Sequence, residues 1–236
     1  MHTCILNING VYIRVNARQP DTIQRIEDLY NLFIMPDTPD FTPEFELTSD
    51  DEGDLFTILA QKGMLAIHAA AYENANRQGL LLPGGAGSGK TTIAFSALTS
   101  GYPFIGDDVI LCHFNGEGFN LLPLKSYLHL KENGKAQKYN ILEHYPQDIF
   151  GKTYVKALVF PRITTDGITT IRKRSGNRKP VFIELLKNCI WVKDAPLRKK
   201  QASLLEVFCT LPAYDLFLGT DHKKRQKLAI ELLDGI

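Results

Sequence analysis

Gly84-Gly85-Ala86-Gly87-Ser88-Gly89-Lys90-Thr91 matches the spacing of Gly, four residues, Gly, Lys and Ser or Thr. The chemistry of that spacing is phosphate binding. Glycines reach backbone angles closed to other residues, so consecutive N–H groups can turn toward one anion. A helix beginning at the end of the turn adds unpaired N–H donors and a partial positive charge. Lys90 is placed to reach the β- and γ-phosphates of a nucleoside triphosphate, and the Thr91 hydroxyl to join a Mg²⁺ shell. Thr92 extends the same set. The expected ligands are ATP and Mg²⁺.

Asp107 and Asp108 follow, sixteen and seventeen residues beyond Thr91 and just past an apolar segment. Adjacent carboxylates near a triphosphate have two tasks open to them. One can hold the cation, and the other can take or orient the proton of an attacking hydroxyl. In isolation the pair reads equally as a solvated turn. His68 lies among small apolar residues upstream, where a satisfied core histidine is the plain alternative to a site residue.

These residues need elements to position them. Residues 65–73 and 79–82 read as strands around a polar turn, and the second runs straight into the glycine-rich loop. A helix is expected over 91–99, ended at Gly101. Short apolar segments follow at 104–105, 109–113, 119–122, 155–161 and 168–172. Residues 181–191 and 201–211 have helical spacing, with Trp191 expected in the core. A strand at 214–218 and a helix at 223–233 close the chain. Residues 131–154 have no clear pattern and read as a functional excursion. Mixed strands and helices with hairpins predict an α/β fold with a mixed sheet.

The chain opens differently. Residues 4–8 and 11–15 flank Asn9-Gly10, which favours a two-residue hairpin. Asp21 is expected to cap a helix carrying Ile23, Ile26, Leu29 and Phe33. Pro36, Pro39 and Pro43 then mark a linker. A small α+β appendage over residues 1–45 and a main domain over 46–236 follow.

The 236 residues are 44% hydrophobic and 22% charged, enough for a real core. Lys and Arg number 27 against 26 Asp and Glu, so no basic field points to nucleic acid or an acidic membrane as main partner. The four cysteines show no metal-finger spacing, and with no signal-like start they point to the cytoplasm. Basic clusters at 172–174, 178–179, 198–200 and 223–225 read first as solvated surface. Arg172, Arg174 and Arg178, around a Ser-Gly-Asn loop, are the best of them for a ligand contact. Arg162 and Lys125 are weaker ones, and Arg77 reads as surface.

The segment 65–113, with His68, the loop 84–91 and the Asp107-Asp108 pair in order, resembles the catalytic domain of HPr kinase/phosphorylase. It is similar also to the HPr-kinase-like serine kinases of peptide-modification clusters, including those of lasso peptides. The resemblance extends from about residue 60 to the C-terminus. It implies a P-loop domain of the phosphoenolpyruvate-carboxykinase-like type, and transfer of the ATP γ-phosphate to a serine. It implies Asp107 as base, Asp108 and His68 at the metal and phosphates, and a homo-oligomer. The family's Glu-Ile-Arg-Gly-type segment and Arg-Asn loop are missing, and the N-terminal segment is unlike its regulatory domain. A protein or peptide other than HPr is therefore the expected acceptor. A metabolite kinase and a non-catalytic nucleotide-binding regulator are the alternatives.

Overall fold

The computed structural model describes residues 2–35, 42–48, 52–132, 135–145 and 153–236. The N-terminal hairpin forms as the dipeptide requires: β1 (His2–Ile8) pairs antiparallel with β2 (Val11–Ala17), and Asn9 and Gly10 take φ of 52° and 81°. Helix α1 (Pro20–Leu29) packs on this hairpin through Ile23 and Ile26. Its N-cap is Gln19, not Asp21. Proline suits the first helical position, so Pro20 starts the helix and leaves Asp21 inside the first turn. Phe33 lies beyond α1 in a separate 3₁₀ turn, Asn31–Phe33. β3 (Ile34–Met35) and β4 (Phe45–Leu47) complete a four-stranded sheet of order β3-β1-β2-β4. The residue-45 boundary thus falls at the start of β4. Pro36 and Pro39 of the expected linker lie outside the described residues.

Next come α2 (Glu52–Gln61) and the long β5 (Met64–Glu73). The rest, in chain order, is β6 (Gly79–Pro83), α3 (Lys90–Thr99), β7 (Phe104–Gly106), β8 (Val109–Phe114) and β9 (Phe119–Pro123). Then come β10 (Tyr127–Glu132), β11 (Lys135–Asn140), α4 (Ile141–His144), β12 (Thr153–Ile163) and β13 (Thr170–Lys173). The chain closes with α5 (Arg178–Asn188), α6 (Ala195–Phe208), β14 (Ala213–Leu218) and α7 (His222–Asp234). The fold is α/β with a mixed eight-stranded sheet, ordered β13-β14-β12-β6-β5-β8-β9 with β7 beside β5. β12 is parallel to both β6 and β14, so the C-terminal ends of these three strands share one edge.

Both faces of the sheet are covered, which is why its central strands are apolar at nearly every position. Leu80 and Leu82 face a core shared with α3 and α7, whereas Leu81 faces one shared with α5 and α6. The N-terminal sheet packs into a third core that takes in α2 and reaches Leu111, Leu122 and Leu124 of the large sheet and its connection.

The structure departs from the sequence reading in the excursion and in α5, and fixes a strand pairing that the sequence left open. Part of the expected excursion is regular: β10 and β11 form their own hairpin, while residues 146–152 lie outside the described residues. β12 and β13 do not pair with each other; both pair with β14. Helix α5 stops at Asn188 because Cys189 turns to extended backbone and bridges Ile67. Trp191 therefore falls outside a helix and is 36% exposed, its indole N–H donating to Leu186 O at 3.0 Å.

Candidate functional site

The glycine-rich loop sits between the end of β6 and the start of α3, on the shared edge of the parallel strands. A Cβ on Gly84 would lie 2.7 Å from Ser88 Oγ, so a side chain there would push the Ser88 hydroxyl aside. Gly89 precedes α3 with φ of 103° and no side chain caps the helix. The first-turn N–H groups of α3 thus keep their donor capacity at the mouth of the loop. Lys90 is buried, and its Nζ donates to Gly85 O at 2.9 Å. Burial lowers its pKa, against the pull of Asp107 and Asp108.

β5 positions the opposite wall. Through Met64–His68 it pairs with β8, and from Ala69 onward with β6 and then β7. The partner strands part at residues 68–69, and Asp107-Asp108 occupies that seam, where the chain passes from β7 to β8. The Asp108 carbonyl accepts from Ala69 N at 3.3 Å, and the His68 carbonyl from Gly84 N at 3.4 Å. Asp108 holds φ of 68°, an unusual backbone state for a residue with a side chain.

The two carboxylates are set apart by their surroundings. Asp107 is 3% exposed, and its Oδ1 has no hydrogen-bond partner among the described residues. Burial raises its pKa, in spite of a hydrogen bond from Thr91 and the charge of Lys90. Asp108 is more open. Lys125 Nζ lies 2.6 Å from its Oδ2, and His68 Nε2 lies 3.8 Å from its Oδ1. Burial pushes Asp108 up, but Lys125, His68 and His129 outweigh it and hold the carboxyl below its usual range. His68 is itself lowered by burial and by Lys90, against the pull of Asp108.

These groups meet in a cleft of about 620 Å³. Ala86, Gly87, Gly89, Lys90, Thr91 and Thr92 line it on the loop side, and His68, Asp107 and Asp108 on the other. Gly84, Gly85 and Ser88 shape the loop behind that surface. Ser88 Oγ is buried without a partner among the described residues. Sequence reading missed Phe95, His129, Leu130, Ile163, Arg225 and Gln226, which also line the cleft. Arg225 belongs to the basic run 223–225 that reads as solvated surface, and no motif in the sequence singles out His129. Lys125, a weak candidate, is brought to the site. Arg162 and Arg174 are not: they pair with Glu184 and Asp215. Arg172 lies over the Phe217 ring, and Arg77 is exposed and paired with Glu73.

The residues present fit a nucleoside triphosphate with Mg²⁺. The loop and α3 supply N–H donors, Lys90 a cation, and Thr91 and Asp108 oxygen donors of the kind Mg²⁺ takes. Among the described residues no group of three or more His, Cys, Asp and Glu could hold a metal ion.

No family model matches the sequence, and no curated protein matches it. Among solved structures, the chain is similar to the Hpr(Ser) kinase/phosphatase from Coxiella burnetii. The likeness has a TM-score of 0.47 at 11% identity and covers 72% of this chain and 88% of that one. At that distance it transfers no residue role. Among the described residues, no helix is long and apolar enough to cross a membrane.

Proposed function

We propose that this chain is an ATP- and Mg²⁺-dependent kinase of the HPr-kinase-like type, passing the γ-phosphate to a serine hydroxyl of a protein or peptide other than HPr. The observation that carries the reading is Asp107: a buried carboxylate with an unpartnered oxygen, next to Thr91 and close to Lys90, in a cleft floored by a phosphate-binding loop. A carboxylate so buried is costly to ionise, and a proton-accepting task accounts for keeping it.

Lys90 and the N–H groups of residues 84–92 hold the phosphates. Lys90 leaves the Gly85 carbonyl to do so. Thr91 and Asp108 would hold Mg²⁺, which would neutralise part of the triphosphate's charge when bound. Asp107 takes the acceptor's proton as its oxygen bonds to the γ-phosphorus and the bond to the β-bridging oxygen breaks, releasing ADP. His68 stands beside Asp108 and steadies the metal and phosphate region. The loose transition state leaves catalysis to positioning and charge stabilisation. Residues 1–45 serve acceptor recognition, residues 46–236 form the kinase domain, and the active form is a homo-oligomer. The four free, buried cysteines suit the cytoplasm.

The test is transfer from γ-labelled ATP with Mg²⁺ into a fractionated extract of the source cell, beside Asp107→Ala. Label in a protein or peptide, lost in the variant, is the expected result. Label confined to small molecules would make the chain a metabolite kinase. Tight nucleotide binding without transfer in any fraction would make it a regulator.

A further inference from the structure

The connection between β9 and β10 joins the N-terminal sheet to the site through three consecutive residues. Leu124 is fully buried in the core built on β1, β2 and α1. Lys125 places Nζ 2.6 Å from Asp108 Oδ2, with its side chain only 11% exposed. Ser126, also buried, donates to Asn31 Oδ1 at 2.6 Å, in the 3₁₀ turn after α1. Lys125 is therefore held on both sides by the N-terminal module and reaches Asp108 from behind the cleft wall.

We propose that Lys125 is a positioning residue for Asp108, and that the N-terminal module sets its place. This rests on the kinase reading above. Asp108 sits in a left-handed backbone at a seam between strands. With Oδ2 held by Lys125, Oδ1 is the oxygen presented toward His68 and the cleft. The short, charge-assisted contact fixes the side chain's direction. A displacement of Asn31 or Leu124 is passed along one residue of backbone to Lys125. The module thereby takes part in the chemistry without touching the nucleotide.

The experiment compares Lys125→Met, Lys125→Arg, Ser126→Ala and the double variant Lys125→Met/Ser126→Ala. One readout is Mn²⁺ affinity in the presence of a non-hydrolysable ATP analogue, followed by electron paramagnetic resonance. The other is phosphate release from MgATP, with water in place of the acceptor. Lys125→Met is expected to weaken Mn²⁺ about threefold and slow release about tenfold, with metal-free analogue affinity within about twofold. Lys125→Arg should recover most of both. Ser126→Ala should show a smaller loss of the same kind, and no further loss in the Lys125→Met background.

Mn²⁺ bound as well or more tightly by Lys125→Met would overturn the proposal, since a lysine that merely competes with the cation behaves that way. A Ser126→Ala loss that persists undiminished in the Lys125→Met background would overturn the link to the module. Failure of the unaltered protein to bind the analogue at all would remove the kinase reading itself, and this inference with it.

Discussion

Two charged clusters in this molecule are built from the same kinds of groups and do opposite things. In one, Arg162 and Arg174 share Glu184 and Asp215 at the β12–β14–α5 junction. Arg174 donates to Asp215 at 2.6 and 3.1 Å and to Glu184 at 3.0 Å, with its guanidinium 3.9 Å from the Phe160 ring centre. Only its Nη1 has no partner among the described residues. In the other, Asp107 keeps an orphaned oxygen, Lys90 settles on a loop carbonyl, and Asp108 holds a strained backbone. The first cluster is nearly closed, with its charges spent on one another. The second keeps an unpartnered carboxylate oxygen, and its residues line one cleft. Saturation marks structure, and organised incompleteness marks a site.

The largest expected difference is in nucleotide binding. Lys90→Ala should weaken ATP binding by about a hundredfold or more and abolish transfer, as loss of a buried charge-assisted contact does. Arg174→Ala should leave nucleotide affinity unchanged, and calorimetric titration of both variants tests the contrast. Arg174→Ala should instead destabilise the fold by about 1–2 kcal/mol, because it leaves Glu184 and Asp215 to Arg162 alone and takes a guanidinium off the Phe160 ring. Denaturant unfolding measures that loss. A nucleotide-binding defect in Arg174→Ala at unchanged stability would break the comparison.

The two aspartates should part in their pH response. Folded Asp107 titrates above its ordinary value because it is buried. Its ionised form therefore costs stability, a cost that appears as pH rises through the ordinary carboxylate range and is complete above the folded value. Asp107→Asn should melt a few degrees higher than the unaltered chain at neutral pH. Asp108 titrates low, with Lys125 and the two histidines overcoming its burial. Its stabilisation is present above the ordinary carboxylate value and is lost as pH falls through the depressed one. Asp108→Asn should melt lower at neutral pH, and the gap should close in acid. Thermal melts across that range check both signs. The smallest effect expected is that of Arg172→Ala, within about 0.5 kcal/mol and without change in nucleotide affinity.

The loop was legible because its chemistry is local: glycine freedom, a lysine and a hydroxyl at fixed spacing depend on consecutive residues. The hairpin at Asn9-Gly10 and the apolar strands around the loop were legible for the same reason. Lys125 was legible only weakly, and His129, Ile163 and Arg225, which line the cleft, were not legible as site residues. They reach the cleft through pairings of strands far apart in the chain, such as β12 with β6 and β8 with β5. Arg174 misled for the converse reason. Its basic neighbours suggested an open patch, whereas its partners Glu184 and Asp215 lie ten and more residues away. Helix ends failed by small amounts where a backbone preference overrode the side chain, as Pro20 did for Asp21.

The central claim rests on Asp107. The most direct measurement sets MgATP affinity and labelled-phosphate transfer side by side for Asp107→Asn and the unaltered protein. The account predicts affinity within about threefold and transfer down by about 10³, in a variant that melts no lower. Transfer near the unaltered rate would contradict the assignment of Asp107 as the proton acceptor and, with it, the reason given for burying an unpartnered carboxylate beside the loop.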